Sequence, residues 1–134
     1  MKEIAGSILV LISLVLITGL GYAANEGKMA VAAEGKAVTS EVSKVAGRSP
    51  CFLMFDGDGA LIEAVDNPHQ GDRRGAGASV VSFLAQKGVT FVVAGEFGKK
   101  MSQAMDARGI GYLEFRGNAE DAVKKALEER KKND

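Results

Sequence analysis

The sequence predicts an α/β domain with a five-stranded mixed sheet flanked by helices, and three observations predict it. Through the carboxyl-terminal half, short apolar runs alternate with amphipathic stretches, the pattern of parallel strands joined by helices. Near the middle, two apolar runs flank Asp56-Gly57-Asp58-Gly59, which reads as a hairpin and adds an antiparallel portion. The chain has 134 residues, enough for one domain and too few for two with respectable cores.

The elements follow in order. "KMAVAA", Lys28 to Ala33, is a first strand closed by Glu34-Gly35-Lys36. Ala37 to Pro50 mixes serine, valine and lysine without a clean period and reads as loop with room for one helical turn. Cys51 to Phe55 is the next strand, with Cys51, Leu53 and Phe55 on one face and Phe52 and Met54 on the other. Both faces are apolar, so this strand is covered on both sides. Ala60 to Val65 is its hairpin partner.

"ASVVSFLAQKG" sets Val80, Val81, Leu84 and Ala85 on one helical stripe, with Gly88 at its carboxyl cap. "VTFVVAG" is a buried strand, and "KKMSQAMDARG" a helix with Met101, Ala104 and Met105 inward, ending at Gly109. "IGYLEF" is the last strand. Asn118 caps a final helix whose Ala122, Val123, Ala126 and Leu127 face the core. Glu120 and Asp121 suit its first turn, and Arg130 to Lys132 its last.

Residues 1–24 stand apart from this domain, which runs over 25–134. From Ile4 to Ala24 there is no charge, a run long enough to cross a bilayer, which takes about 20 apolar residues. Gly19 and Gly21 break the run just before small residues, the arrangement of a cleaved signal peptide; an uncleaved membrane anchor is the alternative. Either one places the domain outside the cytoplasm, in the periplasm or an equivalent compartment. Cys51 is the only cysteine, so no internal disulfide can form there.

Hydrophobic residues make up 46% and charged residues 25%, with 17 basic and 17 acidic side chains. A net charge of zero supplies no overall field for nucleic acid or an anionic membrane, so any anion site is local. Two connections have that local character. "GDRRGAGAS" leads into the first helix and "GEFGKK" into the second, each at the carboxyl end of a strand, where ligands gather in such sheets. Gly75, Gly77, Gly95 and Gly98 let backbone N–H groups approach a ligand, and Arg73 and Arg74 add charge-assisted hydrogen bonds. Neither loop matches a known nucleotide fingerprint, and a solvated flexible loop explains the same composition.

Other chemistry is sparse. Cys51 and His69 are the only soft ligands besides methionine, too few for a structural zinc site. With a methionine such as Met54 they are the candidate set for copper(I), although Cys51 equally suits a buried apolar position and His69 an exposed loop. A tightly bound metal must therefore bring most of its own ligands. A hydrolytic reading has only Asp56, Asp58 and His69, and no nucleophile–base pair stands out, so the protein is expected not to be an enzyme.

The ordered segments "MAVAAEGKAV", "GRSPCFLMFDGDGALIEAVDNPH", "GAGASVVSFLAQKGVTFVVAGEFGKKMSQAMDARGIGYLEF" and "NAEDAVKKAL" resemble the dinitrogenase iron–molybdenum cofactor biosynthesis family. This is the domain shared by NifX-type carriers and the tail of the NifB synthase, and the likeness spans roughly residues 28 to 127. It implies a ribonuclease H-like fold without nuclease activity, and binding of a metal–sulfur cluster of iron–sulfur, molybdenum–iron or molybdenum–copper type. Such clusters are anionic and carry their own sulfide. In that picture Arg73, Arg74 and the N–H groups near Gly75 to Gly77 and Gly95 to Gly98 cradle charge, while His69 or Cys51 supplies one soft contact.

Ala46 departs from the pattern, standing where many relatives carry phenylalanine before glycine–arginine. The predicted export segment also separates this chain from nitrogenase assembly, which is cytoplasmic. The expectation is therefore an exported, non-enzymatic carrier or sensor of a metal-containing anion. The rival reading is an extracytoplasmic protein–protein interaction module that uses a sheet edge or the Gln70 to Gly75 loop.

Overall fold

The computed structural model describes residues 27–133, so the predicted leader, residues 1–24, lies outside the described residues. Five strands form one sheet: β1 (Lys28–Ala33), β2 (Cys51–Phe55), β3 (Leu61–Asp66), β4 (Val89–Ala94) and β5 (Gly111–Glu114). The spatial order is β3-β2-β1-β4-β5. β2 runs antiparallel to both β1 and β3, while β4 runs parallel to both β1 and β5. Three helices connect and cover them: α1 (Ala76–Gln86), α2 (Lys99–Arg108) and α3 (Ala119–Asn133).

Strand alternation sorts the core into two layers. Ala30, Ala32, Phe52, Met54, Val92 and Ala94 pack under α1 and α2 against Val80, Leu84, Met101 and Met105. Met29, Val31, Leu53, Phe55 and Val93 face the other way and meet Ala122, Val123 and Ala126 of α3. The expectation that β2 is covered on both sides holds: every residue from Cys51 to Phe55 is buried. Asn118 caps α3 as expected, its Oδ1 accepting from the Asp121 N–H at 2.8 Å. Among the described residues no helix is long and apolar enough to cross a membrane.

The strand ends shift by a residue from the sequence reading, with β3 ending at Asp66, β4 at Ala94 and β5 spanning Gly111–Glu114, and two starts differ for a clear reason. β3 begins at Leu61 rather than Ala60 because Ala60 belongs to the turn: its N–H donates to Asp56 Oδ1 and its carbonyl accepts from Asp56 N–H, both at 2.9 Å. α1 begins at Ala76, so Gly77 lies inside the helix despite the poor intrinsic propensity of glycine. Close packing against α2 explains that exception, as described below.

The segment between β1 and β2 contains one 3-10 turn, Ala46–Arg48. It is held by backbone hydrogen bonds rather than by periodic side chains. Glu34 N–H donates to Glu41, Val42 to Gly117, Ser43 to Ala32 and Ala46 to Glu96. This lays residues 41–46 across the carboxyl edge of β1 and β4.

The buried stripe and the cap give separable stability effects. Leu84→Ala is expected to cost about 2–5 kcal/mol, since the methyl groups it removes are fully buried. Asn118→Ala is expected to cost about 0.5–2 kcal/mol through the lost cap. Urea titrations of both variants check the order and the size.

Candidate functional site

At the carboxyl edge of β1 and β4 the backbone opens into a hollow of about 360 Å³. The 3-10 turn, the loop before α1 and the starts of α1 and α2 converge there. Glycines make that convergence possible. A Cβ on Gly77 would lie 2.8 Å from Met101 Cβ, and one on Gly47 would lie 3.3 Å from the Gly77 backbone.

Both helix starts lack a side-chain cap and lack acidic residues in the first turn. The first intrahelical donors are Ser79, to Gly75, and Ser102, to Gly98. The preceding N–H groups, on Ala76, Gly77 and Ala78 and on Lys99, Lys100 and Met101, belong to residues lining the hollow. α3 provides the contrast, with its Asn118 cap and with Glu120 and Asp121 in its first turn. Arg48, Arg73, Arg74, Lys99 and Lys100 also line the hollow, and none forms an ion pair with a carboxylate among the described residues. Helix dipoles and side chains therefore contribute positive potential to one place.

The structure thus brings Arg73, Arg74, Gly75, Gly77 and Gly98 together. Gly95 lies just behind, where a Cβ would meet Lys44 O at 2.7 Å and Lys44 Cα at 2.8 Å. Its role there is close packing of two backbones. Cys51 and His69 do not converge with the hollow or with each other. Cys51 is buried in the α3-facing layer, its Sγ within 3.3 Å of Ala33 O and 3.2 Å of Gly35 O. Met54 faces the opposite layer, so the copper(I) set of Cys51, His69 and Met54 does not form. His69 Nδ1 lies 2.9 Å from Asp72 Oδ2, and its ring stands edge-on to Phe83 beside α1. Asp56 and Asp58 sit in the hairpin turn at the other end of the sheet, remote from His69. Among the described residues no three His, Cys, Asp or Glu side chains are grouped to hold a metal ion.

Sequence reasoning missed Arg48, Asn67, Lys99 and Lys100. Asn67 is buried and ties two loops: its Nδ2 donates to Gly47 O at 3.2 Å and Ser49 O at 2.9 Å, while its Oδ1 accepts from His69 N–H at 2.9 Å. Arg48 Nη1 donates to Gln70 O at 3.0 Å and to Asp72 O, bracing the loop that carries Arg73 and Arg74. A sequence signal existed for the lysines. Cations in the first turn of a helix oppose the macrodipole, so Lys99-Lys100 after Gly98 marks a start that favours an external anion.

Fold and hollow together define a small α/β domain with an electropositive cleft at the carboxyl edge of its sheet. The sequence profile of the dinitrogenase iron-molybdenum cofactor family matches residues 27–130, and the chain belongs to that family. The apo form of the orange protein from Desulfovibrio gigas is similar, at 30% identity and TM-score 0.72, covering 78% of this chain and 90% of that one. A Thermotoga protein named for NifB is 29% identical with TM-score 0.66 over 78% of this chain and 90% of its own. A Methanocaldococcus jannaschii protein named as a dinitrogenase shares the fold alone, at 10% identity and TM-score 0.51 over 78% and 90% of the two chains. No curated protein sequence matches the chain.

Two outcomes follow from this geometry. Gly95→Ala is expected to destabilise by about 1–3 kcal/mol, because the added methyl meets backbone that cannot swing aside; chemical unfolding measures it. Burial pushes the Cys51 thiol up from its ordinary value; Lys36 opposes the shift, and Asp66 and Glu34 add to it. A raised value leaves less thiolate at neutral pH, so Ellman's reagent is expected to modify native protein slowly and urea-unfolded protein fast.

Proposed function

We propose that this domain carries or senses a metal–sulfur cluster or a similar metal-containing anion held in the hollow, and that it binds this cargo without transforming it. One observation carries the reading: two uncapped helix starts and five cationic side chains meet around one cavity. A cluster brings its own sulfide, so it needs hydrogen-bond donors and positive charge from the protein more than it needs thiolates. The lining supplies those, and Val45, Ala76 and Met101 add an apolar wall suited to a soft, weakly hydrated surface. Membership of the dinitrogenase iron-molybdenum cofactor family supports a cluster over a simple phosphate.

Non-enzymatic character is part of the proposal, supported by a lining without acids, histidine, serine or cysteine. So is export, supported by the uncharged run Ile4 to Ala24 outside the described residues. The strand order β3-β2-β1-β4-β5, with only its first three strands antiparallel, supports the ribonuclease H-like reading of the fold.

Protein purified without oxygen from a metal-replete native host is expected to contain metal and acid-labile sulfide, and the metal-stripped protein to take up tetrathiomolybdate. Protein with neither metal nor uptake overturns the proposal. Replacing Arg73 and Arg74 together by alanine is expected to weaken tetrathiomolybdate binding about tenfold or more. Each hydrogen bond to a charged group is worth about 1.5–3 kcal/mol, of which solvent exposure removes part. The unfolding midpoint is expected to stay unchanged, because both side chains are exposed. Equilibrium titration followed by absorbance reads the first quantity and urea unfolding the second.

A further inference from the structure

We propose that the edge of the domain opposite the hollow seats on a phospholipid surface, with Leu61 and Ile62 entering the interfacial layer and the hollow opening away from the bilayer. The inference rests on the tethered form of the exported domain, in which Ile4 to Ala24 stays in the membrane.

Topology places several features at one edge. Lys28 opens β1 and pairs with Val89, its N–H reaching Gly88 O at 3.5 Å. Met29 pairs with Phe55, so the turn from Asp56 to Ala60 and the first residues of β3 lie at the same edge. α3 starts at the far edge, where Ala119 N–H donates to Ser40 O at 2.9 Å. It runs back until Leu127 reaches the hairpin turn, where Gly59 has Leu127 Cδ1 within 3.0 Å of its Cβ direction. Arg130, Lys131 and Lys132 follow beyond that point.

Chain length then restricts where this edge can be. From Ala24 to Lys28 there are four residue steps, which reach at most about 14 Å when fully extended. The polar layer on each side of a bilayer is itself about 5–8 Å thick. A tethered domain therefore holds this edge at the headgroups. Its surface suits that position. The described residues have three exposed large hydrophobic side chains, and two of them, Leu61 at 42% and Ile62 at 47%, are consecutive at this end of β3. Leu61 continues into a groove of about 330 Å³ with Phe55, Val123 and Leu127, whose rim carries Asp58, Glu120 and Lys124. Exposed Lys131 is available to lipid phosphates. Arg108 Nη2 donates to Ser82 Oγ at 3.2 Å and Lys132 pairs with Glu129 at 3.8 Å, weak surface contacts that a phosphate can replace. The acids are partly spoken for: Asp56 accepts two turn N–H groups and Glu63 pairs with Lys87.

The hollow lies at the other end of the six-residue strand β1, about 20 Å away at ~3.3 Å per residue. That distance exceeds the Debye length of about 8–10 Å, so lipid phosphates and cargo do not compete for the same cations.

The test uses the full chain in vesicles of phosphatidylcholine with phosphatidylglycerol, some lipids carrying a shallow nitroxide quencher. Ile62→Cys and Arg74→Cys, each in a Cys51→Ala background, are labelled with bimane. The label at position 62 is expected to lose roughly half or more of its fluorescence, and the label at position 74 almost none. Equal quenching at both positions, or none at 62, with the leader retained by intact mass, overturns the docking while leaving the tether. A chain isolated from the native host that begins after Ala24 overturns the tether and the proposal with it. Tetrathiomolybdate uptake is scored separately, so neither result is confused with failure of the cargo reading.

Discussion

Everything at the candidate site depends on three backbone segments meeting without side chains between them. Gly47, Gly77 and Met101 stack within van der Waals contact, and this contact draws the starts of α1 and α2 to one spot. The separation of packed helices depends on the side chains at their contact, and the smaller those are, the closer two helix starts come to serving one small anion. A side chain at position 77 would wedge the two helix starts apart. The same contact explains why Gly77, unfavourable for a helix by propensity, sits in the first turn of α1. Tertiary packing outweighs the local preference, and the cost of glycine falls where its lack of bulk is needed.

The second requirement is a rigid frame for the arginine loop. Residues 67–75 have no regular secondary structure, and loops of that kind are ordered only when their backbone groups are matched. Asn67 satisfies carbonyls of the preceding loop with its amide, and Arg48 satisfies two carbonyls of the arginine loop with one guanidinium nitrogen. Arg48 thus has two functions: it lines the hollow, and it restrains the chain that brings Arg73 and Arg74 there. A cation that does both links the shape of the cavity to its charge.

Periodic and local signals carried most of the fold into the sequence. β1, β2, the three amphipathic stripes and the Asn118 cap were legible because each depends on residues a few positions apart. The convergence of the two glycine loops was legible as a possibility, since both connections follow strands on the same edge. The path of residues 37–50 was not, because it is held by long-range backbone hydrogen bonds to Gly117, Glu96 and Ala32, which leave no mark on side-chain pattern. Arg48 was hidden for the same reason: its partners lie 22 and 24 residues away and are carbonyls. Cys51 is the converse case: soft ligand and buried apolar residue look alike in sequence, and the fold places it on β2 in the layer that faces α3.

Charge arrangement decides how such a site would work. The chain is neutral overall, yet five cations surround the hollow, so the rest of the molecule carries a compensating negative excess. A multivalent anion far from the protein feels almost no net attraction, and screening over about 8–10 Å removes most of what remains. Within that range the focused field of the hollow dominates, and it lies on one side only. Selectivity therefore comes from fit and contact rather than from long-range steering, in contrast to a basic protein that gathers any polyanion. Compact, multiply charged, polarisable anions gain most from this arrangement, since they can enter a cavity of about 360 Å³ and meet helix N–H groups and cations together. A lone chloride or acetate carries a single charge and gains less from two helix starts at once.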